Sequence, residues 1–273
     1  MISFPNAKIN LGLNITEKRE DGYHNLETIF LPVSIQDALE IITTENSNQE
    51  IEFTFSGLNI IGDINENLCV RAYHLLKRDF QIPSIKMHLH KAVPMGAGLG
   101  GGSADGAFTL ALLNEKFELN LSSQHLVDYA LHLGSDCPFF IINKPCFAMG
   151  RGEIMQEISL DLTQYEIVII NPNIHISTAK AFSKISPKTQ LKSVQKIIHQ
   201  PIETWKNELI NDFEKALISD YPIIQHIKDS LYYNNAIYAS MTGTGSTIFG
   251  IFDKKVDIKF SKEYIVQWVK AIQ

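Results

Sequence analysis

The chain has 273 residues, 45% of them hydrophobic and 20% charged, a balance that excludes a disordered protein or a coiled coil and leaves room for two modest domains, each with its own core. A formal net charge of -6 argues against a nucleic-acid coat, and no apolar run has the length needed to cross a bilayer. Residues 1–10 lack the charged-then-apolar pattern of an export signal, and Cys69, Cys137 and Cys146 form no CxxC pair, so the expectation is a cytoplasmic protein with reduced, buried thiols.

In chain order, residues 1–15 alternate as a strand does, residues 30–42 and 50–55 continue the pattern, and residues 84–90 add a strand with Ile85, Met87 and Leu89 in step. Residues 67–80 predict a helix, because Leu68, Ala72, Leu75 and Leu76 share one face, with a turn over 63–65 before it. Two further helices are predicted over 103–116 and 122–133, followed by short apolar strands at 139–142 and 146–149. The mixture has no regular βαβ repeat, which favours an α+β fold. A buried strand is expected over 166–170, ended by Asn171-Pro172, and residues 178–233 read as mainly helical with breaks near Pro187, Pro201 and Pro222. Strands return at 236–241 and 247–252 around Thr242-Gly243-Thr244-Gly245-Ser246, a turn that a hairpin alone could explain. A closing helix is expected over 261–272.

The densest signal is Pro94-Met95-Gly96-Ala97-Gly98-Leu99-Gly100-Gly101-Gly102-Ser103, with five glycines in seven consecutive positions between a strand pattern and a helix pattern. Glycine permits positive φ and close approach of a ligand, while a helix that begins near Ser103 offers unpaired N–H groups and partial positive charge to an anion. A Walker A loop is excluded, because no Lys followed by Ser or Thr closes the run. Gly96, Gly98 and Gly101 satisfy the dinucleotide fingerprint, but a second helix follows where that motif needs a parallel strand.

Outside the loop, Lys8 alternates with Ile9 and Leu11 on a strand, Asp136 stands in a small-residue turn, and Tyr23 and His24 pair an aromatic face with a donor and acceptor. Phe182 offers a second ring. Each also has a plain explanation, as a surface lysine, a turn-capping acid or a core aromatic. His88 and His90 share a strand face without the Cys, Asp or Glu that would complete a metal site, so no protein metal ligand is assigned.

Together these segments make the chain similar to the GHMP kinases, and within them to the branch that phosphorylates 4-diphosphocytidyl-2-C-methyl-D-erythritol, or CDP-methylerythritol. The resemblance spans nearly the whole length. It is carried by Asn6-Ala7-Lys8-Ile9-Asn10, Asp21-Gly22-Tyr23-His24, Glu66-Asn67-Leu68, the glycine loop, Gly134-Ser135-Asp136-Cys137-Pro138 and Thr242-Gly243-Thr244-Gly245. The Asp-Gly-Tyr-His box is the most specific, since other GHMP members share the loop but not the cytidine site.

The resemblance implies an α+β GHMP kinase fold: a ribosomal-protein-like N-terminal, ATP-binding domain over 1–158 and a ferredoxin-like C-terminal domain over 159–273, with the active site between them. It implies ATP-dependent phosphorylation of the substrate's 2-hydroxyl in the non-mevalonate isoprenoid pathway, with Mg²⁺ accompanying ATP. Asp136 then matches the general base and Lys8 the lysine that keeps it ionised and steadies charge at the attacking oxygen. Pro94 through Ser103 wrap the phosphates, with Asn67 near the adenine. Tyr23 and Phe182 sandwich cytosine, His24 hydrogen-bonds it, Asn10 and Thr178 line the site, and Gly243 and Thr244 lie near the diphosphate or the reacting groups. The expected partner is this small molecule, without nucleic acid or membrane, and the chain acts as a monomer or homodimer.

The chain departs from the wider pattern at Gly101 and Gly102, where a serine pair is general, and at Ala104, where a second serine and its phosphate contact are lost. A GHMP kinase for another alcohol and a catalytically silent nucleotide-binding regulator of the same fold are the alternative readings. The Tyr23-His24 pair argues against the first, and retention of Lys8 and Asp136 against the second.

Overall fold

The computed structural model describes residues 1–44, 49–60, 62–187 and 192–273. Strands β1 (Ile2–Ser3), β2 (Asn6–Lys18), β3 (His24–Gln36), β4 (Ala38–Thr43) and β5 (Ile51–Gly57) precede helix α1 (Leu68–Asp79) and strand β6 (Ile85–Lys91). Helices α2 (Gly101–Lys116), α3 (Ser123–Leu133) and α4 (Cys137–Ile142) lead to strands β7 (Cys146–Met149), β8 (Ile154–Glu157) and β9 (Glu166–Asn171). Then come α5 (Thr178–Ser183), α6 (Val194–Ile198), α7 (Trp205–Glu208), α8 (Asp212–Leu217) and α9 (Pro222–Tyr233), followed by β10 (Tyr238–Met241), β11 (Ile248–Phe252) and β12 (Ile265–Val269). Two compact units cut across this order: Met1–Ala7, Ile35–Met95 and Gly100–Asn143 form the first, and Lys8–Ser34, Gly96–Leu99 and Lys144–Gln273 the second.

In the first unit a sheet runs β1-β4-β6-β5, with β5 parallel to β6 and the other pairs antiparallel. Strand β6 buries Ile85, Met87, Leu89 and Lys91 on one parity and turns Lys86, His88 and His90 to the other, the period of a half-covered strand. On the outer parity the hydroxyls of Thr54 and Ser56 hydrogen-bond the two imidazoles, which is a sufficient reason for His88 and His90 without a metal. Helix α1 starts where Asn67 Oδ1 accepts from Cys69 N at 2.9 Å, and α3 where Ser122 Oγ accepts from His125 N at 3.2 Å. Helices α1 and α2 approach closely because position 106 has no side chain: a Cβ on Gly106 would lie 2.8 Å from Leu68 Cβ. All three cysteines are buried and unbridged, and burial pushes the Cys137 and Cys146 thiols up to about 12.

The second unit holds two sheets, β2-β3-β7-β8 and β10-β11-β9-β12. Counted from β9, the latter has the order 2-3-1-4 and is antiparallel throughout, the strand order of a ferredoxin-like sheet. Its second crossover, residues 253–264, has no helix. Val168, Ile170, Phe213, Leu217, Ile227, Leu231 and Phe252 belong to one buried cluster that joins this sheet to α8 and α9.

Two local expectations fail. Residues 139–142 are helical, not extended: Pro138 occupies the first turn of α4, where its missing N–H costs nothing, and Asn143 closes the helix at φ 51°. A run that short does not distinguish a buried strand from a buried helix. Residues 261–272 contain strand β12 where a closing helix is expected. Ile265, Trp268 and Val269 share one face at helical spacing, but the open edge of β9 takes Ile265 to Val269 as antiparallel partners, and Trp268 meets Phe252 edge-on at 5.4 Å. Pro222 opens α9, and residues 188–191 of the expected helical stretch lie outside the described residues.

The α1–α2 approach makes Gly106→Ala destabilising. The added methyl costs about 1–3 kcal/mol, to be measured by chemical denaturation; an unchanged midpoint and slope would contradict the close packing.

Candidate functional site

Within the second unit the middle of the glycine loop is held by its carbonyls. Ala97 O accepts from Thr247 N at 3.3 Å, Gly98 O from Thr242 Oγ1 at 2.9 Å, and Leu99 O from Lys8 N at 2.9 Å. A Cβ on Gly98, at φ +80°, would fall 2.0 Å from Thr242 O, so only glycine permits the contact. Among the described residues no acceptor in the chain takes a hydrogen bond from the amides of Gly96–Leu99. Carbonyls tied on one side and free amides on the other make an anion cradle.

Lys8 sits in this setting, 4% exposed, which overturns the reading of a solvent-facing lysine. Its Nζ donates to Asn10 Oδ1 at 2.6 Å and lies 4.9 Å from the Phe30 ring. Asn10 donates through its Nδ2 to Thr28 Oγ1 at 2.9 Å and through its backbone N to Thr242 Oγ1 at 3.0 Å. The turn at Gly243, at φ 55°, is fixed by Asn211, whose Nδ2 donates to Met241 O at 2.8 Å and to Gly243 O at 2.9 Å. So 242–245 is a hairpin turn that also holds the loop. Thr244 is partly buried beside it.

Elsewhere in this unit His24 packs on Phe182 with ring centroids 5.1 Å apart, and Phe182 meets Phe213 edge-on at 4.9 Å. Tyr23 is 57% exposed, with the Arg151 guanidinium 5.0 Å from its ring centre. Burial, and then the charge of Lys18, hold the His24 imidazole below the usual histidine range. Thr178 is the first residue of α5 and exposed. His175 stands against the loop, its ring atoms 3.4 Å from where a Cβ on Gly96 would lie.

In the first unit the loop exits through Gly100 at φ 71° into α2, whose first-turn amides have no helical partners. Gly101 is required here, because a Cβ would meet Val93 Cγ1 at 2.9 Å. Helix α4 packs against α2, and Ser103 lies near enough to the Cys137 thiol to oppose part of its upward shift. Asp136 precedes Cys137 as the N-cap residue of α4, and its carboxylate makes no capping bond to that helix. Asn67, by contrast, has its Oδ1 occupied as a helix cap.

The N-terminal domain model of the GHMP kinases matches residues 67–144, and the C-terminal model of the same kinases matches 187–267. The chain belongs to the GHMP kinase family. Curated relatives in this family include the 4-diphosphocytidyl-2-C-methyl-D-erythritol kinases of Bacteroides fragilis, 52% identical over 94% of both chains, and of Cytophaga hutchinsonii, 46% identical over 93% of both. A crystal structure of 4-(cytidine 5'-diphospho)-2C-methyl-D-erythritol kinase superposes with a TM-score of 0.78 at 28% identity, covering 92% of this chain and 90% of that one. The mevalonate kinase of Methanococcus jannaschii shares the fold at a TM-score of 0.72, 14% identity and 100% and 98% coverage. Membership of this kinase family implies use of ATP. Among the described residues no helix is long and apolar enough to cross a membrane.

Sequence reading of this GHMP kinase missed Thr242 as the loop's anchor, Asn211 beneath it, Arg151 beside Tyr23, and the buried Asp37, Lys91 and Asp105 of the first unit. A signal for Lys91 was present: it continues the parity of Ile85, Met87 and Leu89.

Gly98→Ala puts strain and a clash at one point, so it should lower stability by about 1–3 kcal/mol and weaken ATP binding about tenfold or more; calorimetric titration with intact affinity would refute the anchoring. For His24, the unfolded chain binds more protons than the folded one between the lowered pKa and the ordinary 6.5. Its contribution to stability therefore rises with pH through that window and is complete above it. An NMR titration should place the His24 midpoint below 6.5, and His24→Gln should remove this part of the slope.

Proposed function

We propose that the chain transfers the γ-phosphoryl group of ATP to the 2-hydroxyl of CDP-methylerythritol, in the non-mevalonate route to isoprenoid precursors. The observation that carries the reading is 52% identity over 94% of the chain to a relative of that name, joined to an Asp21-Gly22-Tyr23-His24 box beside Phe182. In the reaction the acceptor oxygen forms a bond to the γ-phosphorus, the bond from that phosphorus to the β,γ-bridging oxygen breaks, and the hydroxyl proton passes to Asp136. ADP leaves. Support for Asp136 as the base is its place at the start of α4, which packs against α2 where the loop ends. Support for Lys8 is its burial and the bond from its own backbone to Leu99, which put a fixed positive charge at the loop.

Phosphoryl transfer depends mainly on alignment and charge neutralisation, so the loop amides from Gly96 through Ser103, with Pro94 and Met95 leading in, would hold the phosphates, and Asn67 would border the adenine. Among the described residues no group of three or more His, Cys, Asp or Glu could hold a metal ion. The magnesium ion of the reading would arrive on the nucleotide and neutralise charge on the transferred group, with no protein ligand named. Tyr23 and Phe182 would bracket the cytosine, His24 would hydrogen-bond it, and Asn10, Thr178, Gly243 and Thr244 would line the path to the diphosphate. The module boundary near 158 has support in the two family models, which fall on either side of it.

The test is ADP release with and without CDP-methylerythritol. Strong stimulation is expected; ATP binding without stimulation would favour a silent binder, and stimulation by another alcohol a different GHMP kinase. Asp136→Asn should leave ATP affinity within about twofold while turnover falls by about 100-fold or more, and normal turnover would remove Asp136 from the mechanism.

A further inference from the structure

A charged cluster in the first unit takes no part in the chemistry above. Lys91 ends β6 on its buried parity, with a fully buried side chain whose Nζ donates to Asp37 Oδ2 and, at 2.7 Å, to Asp105 Oδ2. Asp37, between β3 and β4, uses its other oxygen to accept from Ala92 N at 2.6 Å and Val93 N at 2.9 Å. Asp105 is the fifth residue of α2 and 4% exposed, and its Oδ1 is buried with no partner.

Two carboxylates facing one ammonium away from water carry an excess negative charge unless one keeps its proton. Burial pushes Asp105 up to about 7, against the pull of Lys91 and with the help of Asp37, and the Cys69 thiol of α1 faces the same group. Such a cluster is a costly way to fill a core, since apolar residues of similar volume are often as stable or more so.

Its position suggests another use. Ala92 and Val93 immediately precede loop residues 94–103, and Asp105 lies just beyond them. Lys91 Nζ lies 3.2 Å from where a Cβ on Gly101 would stand, directly under the loop's exit. We propose that Asp37, Lys91 and Asp105 are positioning residues for the phosphate loop: they join its entry to its exit through one lysine, fix the spacing of its two ends, and so set its affinity for a nucleoside triphosphate. The inference rests on the kinase reading above.

The test compares wild type, Asp105→Ala and Asp105→Asn, with AMP-PNP affinity by calorimetry and steady-state constants for both substrates. Asp105→Ala should raise the AMP-PNP Kd and the KM for ATP by about tenfold, while kcat and the KM for the alcohol stay within about twofold. Asp105→Asn, which keeps an oxygen for Lys91, should restore the affinity to within about twofold of wild type. Should Asp105→Ala not fold, Lys91→Met is read in the same way. A lowered melting temperature with unchanged AMP-PNP affinity, or equal losses for both substrates, overturns the proposal. Wild-type protein that binds no AMP-PNP overturns the kinase reading and this inference with it.

Discussion

Gly98 and Thr242 touch so closely that a single methyl group on the former would fall 2.0 Å from the carbonyl oxygen of the latter, and the loop's usefulness follows from that contact. A glycine run on its own is floppy, and its amides and carbonyls are equally free to face a ligand. Here Thr247 N, the Thr242 hydroxyl and Lys8 N take three successive carbonyls. The peptide units must then turn their N–H groups the other way, which converts a flexible segment into an oriented set of donors without one charged side chain in the loop itself.

The anchors are held in turn by buried polar side chains. Asn211 fixes the backbone on either side of Thr242, and Glu214, 6% exposed, accepts from Met241 N at 2.5 Å and from Lys228 Nζ at 2.5 Å. Each group is nearly fully satisfied, so the network fixes geometry at small cost, whereas removing one partner from a buried charged pair costs roughly 3–5 kcal/mol. Lys8 belongs to the same pattern, since its bond to Asn10 leads on to Thr28 and thence to Gly12 O at 2.5 Å.

What the sequence made legible was local. Asn67 and Ser122 cap α1 and α3 where the pattern placed the helix starts, and the glycine loop stands between a strand and a helix as its neighbours required. Short apolar segments were not legible: 139–142 became a helix through Pro138, and 261–272 yielded a strand because β9 had an edge to fill, a fact residing 94 positions away in pairs such as Ile265 with Asn171 and nowhere in the segment itself. Of the candidate site, the chemistry-bearing residue types could be picked out, while Thr242 and Asn211 could not. A threonine in a turn and an asparagine before a helix look ordinary until the chain folds over them.

The loop's middle segment, Gly96–Leu99, groups with residues that follow Lys144. Thr242 reaches Gly98 across 144 residues of sequence and Asn10 across 232. On the ribosome the glycines therefore emerge long before the side chains that orient them, and the nascent chain carries an unanchored loop until almost all of it has been synthesised. A chain that terminated early, even one retaining the whole of α2 and α4, would lack Thr242 and Thr247, and its loop amides would have no fixed direction.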